Sequence, residues 1–278
     1  MALFKRLFDF YLQGSLHVAL SVYALVRITE RVLGLPHDPY VAWFGFFGTV
    51  VGYNFVKYDA IARSGKSRQV GEMPFEIRVF ISLSTIAFAG ACYCFLHLEP
   101  TTKWLSALCV AITALYTLPF FPNRKSARSW AGLKIYIVAL CWVGVTVVMP
   151  VLNAAMPLTA DFYIVCVKRF ILIVVLLFIF EIIDLAWDDP HLKTVPQQIG
   201  VANTKKLGVL LMILFLILEL FQLDESFPRF AASVALLGVT SAMLYFADPS
   251  RSRYYTTFWA ESIPILWWAM LVLVENPW

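Results

Sequence analysis

The chain has 278 residues, 60% of them hydrophobic and only 14% charged, with a mean hydropathy of +0.75 and a formal net charge of +4. No soluble domain of this size hides that much apolar surface, so the composition excludes a water-soluble enzyme and describes an all-α polytopic membrane protein. The small positive charge does not point to nucleic acid, because the basic residues are better explained as topology signals.

The first fifteen residues, MALFKRLFDFYLQGS, lack a small-residue cleavage site and read as an amphipathic lead-in to the first span. Nine spans then follow, each near the ~20 residues a bilayer requires. They cover approximately 15–33, 40–62, 76–97, 103–121, 131–150, 161–186, 206–224, 229–247 and 255–275. Proline or glycine marks the breaks, at Gly34-Leu35-Pro36, Pro74, Pro100, Pro122, Pro157, Pro190, Pro228 and Pro249. Linkers and low-complexity segments are absent, so 1–278 is expected to form a single domain. The five cysteines, Cys92, Cys94, Cys109, Cys141 and Cys166, all lie in apolar runs and read as small buried hydrophobes.

Alternate connections differ sharply in charge. One set carries Lys5, Arg6, Lys57, Arg63, Lys66, Arg68, Arg124, Lys125, Arg128, Lys193, Lys205, Lys206, Arg251 and Arg253, and the other only Arg31, Lys103 and Arg229. By the positive-inside rule the N-terminus is cytoplasmic and, with nine spans, the C-terminus lies on the opposite side. A bundle around a central cavity open to the cytoplasm is expected.

The sixth span ends in FIFEIIDLAWDDPHLKTVPQQIG, which holds Glu181, Asp184, Asp188 and Asp189. On a helix, Asp184 and Asp188 stack one above the other, with Glu181 a turn earlier on the same side. Like charges at that spacing repel by roughly 0.2–0.5 kcal/mol, and the C-terminal end of a helix dipole disfavours anions. Two local rules are broken at one place, as happens at functional sites. Paired carboxylates suit Mg2+, which bridges protein carboxylates to substrate phosphates. The plainer reading is a solvated turn stopped by Pro190.

Two further polar connections share that face. YNFVKYDAIARSGKSRQVGEMP offers Asn54, Tyr58, Asp59, Lys66, Arg68 and Gln69, and LYTLPFFPNRKSARSWAGLK offers Tyr116, Arg124, Lys125, Arg128 and Lys134. Carboxylates for a metal, ringed by Lys and Arg for phosphate oxygens, describe a diphosphate pocket. Taken singly, each basic residue is also explained as a topology signal.

These residues resemble the UbiA superfamily of intramembrane prenyltransferases, whose members have nine transmembrane helices and an active site open to the cytoplasm. The family's second aspartate motif, D-x-x-x-D followed by a basic residue, Thr, x, Pro and then Gly, is similar to Asp184-Leu185-Ala186-Trp187-Asp188, Lys193-Thr194-Val195-Pro196 and Gly200. Tyr116-Thr117-Leu118-Pro119, with Arg124-Lys125, Lys134 and Trp142 after it, is similar to the family's fourth-helix motif. The resemblance implies a Mg2+ cofactor held by Asp184, Asp188 and Asp59, and a polyisoprenyl diphosphate bound by Asn54, Lys66, Arg68, Tyr116, Arg124, Arg128, Lys193 and Glu181. It implies transfer of a prenyl group to an acceptor. The family's first motif, N-D-x-x-D-x-x-x-D, is eroded: Asn54 is followed by Phe55, Tyr58 and Ala62 where the carboxylates stand. Asp59 is one residue out of register, about 100° around the helix. The alternative is therefore a non-catalytic relative that binds an isoprenoid or lipid as carrier or complex subunit. A proton-relay transporter would need two matched discontinuous helices, and no convincing pair is present.

Arg27, Lys168, Arg169, Glu219 and Glu261 fall inside apolar spans. Each is expected to face a partner or a cavity, because a charge at the bilayer centre costs roughly 2.5–3.5 kcal/mol on insertion scales. For Lys168-Arg169 the expectations are an anchor near the outer interface or a buried pair with Glu219, and for Lys168 snorkelling near a helix end is an equal, plainer reading. Glu261 is placed to line the pocket. The four scattered histidines make a histidine metal site improbable.

Overall fold

A computed structural model of the chain describes residues 2–63, 75–117, 132, 134–188, 192–222 and 226–275, with the side chains at 2, 58–63, 75–77, 114–117 and 275 outside that description. Among the described residues all regular structure is helical. The helices are α1 (Ala2–Gln13), α2 (Leu16–Val32), α3 (Pro39–Arg63), α4 (Phe75–Leu96), α5 (Pro100–Thr117), α6 (Lys134–Val143), α7 (Met149–Asn153), α8 (Ala160–Asp184), α9 (Val195–Ile199), α10 (Val201–Glu219), α11 (Phe227–Phe246) and α12 (Glu261–Glu275). A π turn, Gly144–Val148, joins α6 to α7 without a break, and a second, Tyr255–Ala260, leads into α12. The long rods follow the order of the expected spans. Six of them are long and apolar enough to cross a membrane: Arg78–Leu96, Lys134–Asn153, Ala160–Asp184, Val201–Glu219, Phe227–Phe246 and Tyr255–Val274.

The departures have local causes. The lead-in is a separate helix because Ser15 takes a left-handed backbone, φ 61°, which turns the chain between α1 and α2. The seventh rod begins at Val201, five residues earlier than expected, because Gly200 at φ 80° opens it directly after α9. The sixth rod ends at Asp184 instead of running to 186.

Helix α8 lies at the centre. It packs against α6, α10 and α11, while α2 packs against α3 and α12. Of the window that qualifies α8 as a span, 67% is buried, against 17–44% in the other five. Its apolar residues join those of α2, α10, α11 and α12 in the largest core cluster. Helices α10 and α11 approach closely at Gly208, where a Cβ would stand 2.3 Å from Leu244 Cδ2, so any larger residue would require Leu244 to move.

Polar ties fix the two ends of the bundle. At one end Asn153 Nδ2 donates to Asp38 Oδ2 (2.6 Å) and Asn153 Oδ1 accepts from the Glu99 N–H (2.8 Å), joining three connections. Also toward that end, Lys168 pairs with Glu219, and its ammonium donates to Gln222 Oε1 at 2.6 Å. Ser233 Oγ donates to Glu219 Oε2 at 2.7 Å. The pair with Glu219, one of the two expectations for Lys168, is thus the arrangement present.

Arg169 is 1% exposed, and its hydrogen-bond partners among the described residues are all neutral. Its guanidinium donates to the Leu25 carbonyl (3.0 Å), Thr146 Oγ1 (3.2 Å) and Thr29 Oγ1 (3.1 Å), and lies 5.6 Å from the centre of the Trp267 ring. One side chain therefore clamps α2, the π turn, α8 and α12. Arg169→Ala removes the clamp and leaves a void, so it should destabilise the detergent-solubilised protein by about 3 kcal/mol, the scale of large core truncations. Arg169→Lys keeps the charge but not the planar fork and should recover less than half of that loss. Thermal melts of the three proteins decide, and a Lys variant as stable as the starting protein would refute the clamp.

Candidate functional site

The acidic end of α8 is shaped by the segment that follows it. Glu181 is 5% exposed, and its Oε2 accepts the Val195 backbone N–H at 3.0 Å. Val195 is the first residue of α9, so a buried carboxylate meets the positive pole of that short helix. Thr194 caps α9 and its N–H donates to Gln197 Oε1 at 3.0 Å. Pro196 stands in the first turn, where its missing N–H loses nothing. Lys193 takes a left-handed backbone (φ 48°), and its carbonyl accepts from Gln198 Nε2 at 2.5 Å. The Lys193-Thr194-Val195-Pro196 signature is thus a fold-back that closes over the end of α8.

The Asp184 carbonyl accepts the N–H groups of Trp187 (2.8 Å) and Asp188 (2.9 Å), adding one turn beyond the last residue of α8. Asp184 and Asp188 therefore remain one turn apart, as their spacing predicts. Both are partly buried, and Asp188 Oδ2 is fully shielded, with no hydrogen-bond partner among the described residues. Lys134, Asp184 and Asp188 all lie within electrostatic range of Glu181. Lys193 is exposed beside them. Among the described residues no group of three His, Cys, Asp or Glu is assembled to hold a metal ion. Two carboxylates with an orphaned oxygen fit a hard cation that keeps several waters and takes its remaining ligands from a substrate phosphate.

Asn54, placed with these acids by sequence, is fully buried. Its Oδ1 accepts from Ser15 Oγ (2.9 Å), and its Nδ2 donates to the Gly14 carbonyl (3.3 Å) and Ser84 Oγ (3.0 Å). Those partners come from the α1–α2 corner and α4. The side chains of Asp59 and Tyr116, and the whole of Lys66, Arg68, Arg124 and Arg128, lie outside the described residues.

A second polar cluster was only partly legible. His17 accepts or donates between Tyr11 Oη (2.8 Å on Nδ1), the Phe258 carbonyl and Ser262 Oγ (2.9 and 3.0 Å on Nε2). Ser21 Oγ donates to the Glu261 carbonyl. Lys57 donates to the Gln13 carbonyl (3.1 Å) and Ser15 Oγ (2.8 Å), within electrostatic range of Glu261. Lys57, which reads in sequence as a topology signal, is thus a tie between α3 and the α1–α2 corner. The available signal was Glu261-Ser262 at the start of an apolar span and His17 inside another.

No family model matches the sequence, and no curated protein matches it. The fold is similar to the apo structure of a UbiA homolog from Aeropyrum pernix K1, with a TM-score of 0.65 and 12% sequence identity over 94% of this chain and 98% of that one. The all-helical architecture that carries the acids at the end of α8 is therefore similar in fold to that UbiA homolog.

Proposed function

We propose that the protein is a UbiA-like prenyltransferase that binds a polyisoprenyl diphosphate with Mg2+ at the end of α8 and transfers its prenyl group to an acceptor. The observation that carries this is the shielded Oδ2 of Asp188, which has no partner among the described residues, one turn from Asp184, on a UbiA-like fold. In this reading α2, α3 and α5 cross the membrane together with the six spans above, making nine. The end rich in Lys and Arg faces the cytoplasm, and the C-terminus lies opposite.

Asp184 and Asp188 would hold the metal, with Asp59 a remnant of a second set. Bound Mg2+ would supply positive charge to the diphosphate. Lys193, with Lys66, Arg68, Arg124, Arg128, Tyr116 and Asn54, would serve the phosphate oxygens, while Glu181 holds α9 in place behind them. The allylic carbon–oxygen bond breaks and its electron pair leaves with the diphosphate. The acceptor bonds to the allylic carbon and gives up a proton.

A second reading has its own support. The Asn54 side chain is satisfied by Ser15, Gly14 and Ser84, and Phe55 and Tyr58 occupy the places of carboxylates in the family's first motif. These favour a relative that binds an isoprenoid or lipid without turning it over, as carrier or complex subunit.

Calorimetry of the purified protein with farnesyl or geranylgeranyl diphosphate tests both. Binding should require Mg2+ and should weaken at least tenfold, about 1.4 kcal/mol, in Asp184→Asn and in Asp188→Asn, with no change in Glu219→Gln at the far end. Equal losses at all three positions would indicate general destabilisation and defeat the assignment. Release of free diphosphate on adding acceptors separates transfer from binding alone.

Restoring Phe55→Asp and Tyr58→Asp puts carboxylates one and four residues after Asn54 on neighbouring turns of α3. Ligand number and charge set the affinity of a site for a hard cation. The double variant should therefore bind Mg2+–diphosphate more tightly, at a cost in stability from carboxylate repulsion when metal is absent. A folded variant with unchanged affinity would favour the second reading.

A further inference from the structure

Beside the α8 site, and independent of it, a cavity of about 720 Å³ opens where the start of α10, the end of α11 and the start of the last rod meet. Its volume lies in the range of small-ligand sites, roughly 300–1,000 Å³. Lys205 and Arg251 line it, with Asp248, the hydroxyl of Ser250, and the aromatic rings of Tyr245 and Trp259.

The two cations are positioned by the C-terminus of α11. The Lys205 ammonium donates to the Tyr245 carbonyl at 2.7 Å, and Arg251 Nε donates to the Phe246 carbonyl at 3.2 Å. Both carbonyls belong to the last turn of α11, where no intrahelical donor reaches them and where cations are favoured. Each contact uses one donor. A lysine has three and an arginine five, so the remaining ammonium protons and the Nη groups stay available to the cavity. The Asp248 carboxylate is held by the Ser250 N–H (2.9 Å) and Oγ (2.6 Å). Those bonds, and the nearby Lys205 and Arg251, keep it below the usual carboxylate range and therefore charged.

The lining thus carries two positive charges and one negative. A net single positive charge matches a phosphodiester, which bears one negative charge, better than a dianionic phosphate or a diphosphate. The rim points to the source of that phosphodiester. Tyr245 is 71% exposed and Trp259 57% exposed, at the ends of two rods apolar enough to cross a membrane. Aromatic side chains of this kind belong at headgroup depth.

We propose that this cavity is a binding site for the phosphodiester headgroup of an anionic membrane phospholipid. Lys205 and Arg251 hold the phosphate, Ser250 and Asp248 stay bonded to each other at the cavity wall, and Tyr245 and Trp259 flank the glycerol.

Native mass spectrometry of the full chain in detergent, titrated with dioleoylphosphatidylglycerol, tests this. A complex of one lipid per chain is expected. The pair Lys205→Gln with Arg251→Gln removes both charges while keeping an N–H for the α11 carbonyls, and should weaken binding at least tenfold. Lys206→Gln, exposed on the same turn but outside the cavity, should leave it unchanged. Trp259→Ala, at an exposed position that tolerates truncation, should weaken binding several-fold and gives the answer if the double variant does not fold. Unchanged affinity in the double variant, or in Trp259→Ala should the double variant not fold, overturns the site. Displacement of the lipid by an equal concentration of inorganic phosphate overturns the lipid as its ligand.

Discussion

The position of α8 depends on a buried cation with no counter-charge among the described residues. Arg169 sits in the most buried rod and reaches a carbonyl, two hydroxyls and the Trp267 ring. Such a charge is tolerable in an apolar bundle only when several donors are satisfied at once. The π turn at Gly144–Val148 accompanies this arrangement. Thr146 lies within it, and its carbonyl also accepts from Thr29 Oγ1 at 2.6 Å, so α2 and the π turn are bonded to each other as well as to Arg169. Extra residues inserted in a helix turn are often found where a side chain has to be aimed.

That clamp locates the acids. Asp184 is fifteen residues beyond Arg169, about 22 Å along a helix, so a rod fixed in its middle and packed on α6, α10 and α11 delivers its last turn to a defined place. The fold-back of α9 completes it. Glu181 would be an expensive buried carboxylate on its own, but the Val195 N–H gives it a partner and Lys134 lies within range. The basic-Thr-x-Pro signature has a local mechanical meaning here: a left-handed residue, a cap and a proline start α9 where Glu181 can receive it.

Much of this architecture was legible in the sequence because bilayer-length apolar runs and Pro/Gly breaks are strong signals. The rods at Ala160–Asp184 and Phe227–Phe246 match the expected 161–186 and 229–247 within two residues at each end. The π turns were not legible, since Gly144–Val148 and Tyr255–Ala260 are apolar or aromatic stretches with ordinary helical composition. The stacking of Asp184 over Asp188 followed from spacing alone. The use of Asn54 did not, because its neighbours Ser15 and Ser84 are 39 and 30 residues away and only the folded chain brings them together. Likewise the cavity beside Lys205 and Arg251 is assembled from three rods, and no single segment announces it.

The end of α3 then acquires a coherent explanation. At the places where the first UbiA motif carries acids, this sequence has Phe55, which is 50% exposed, Tyr58 and Ala62, and between them Lys57 is bonded to Gln13 and Ser15. A helix end that bore carboxylates would need metal to offset their repulsion. This one is held instead by neutral hydrogen bonds at Asn54 and by a lysine facing Glu261 across the α1–α2 corner. In the proposed reading, a Mg2+ ion bound by α8 alone would have few protein ligands and would draw the rest from water and phosphate. Metal and diphosphate would then bind as a unit, each raising the affinity for the other.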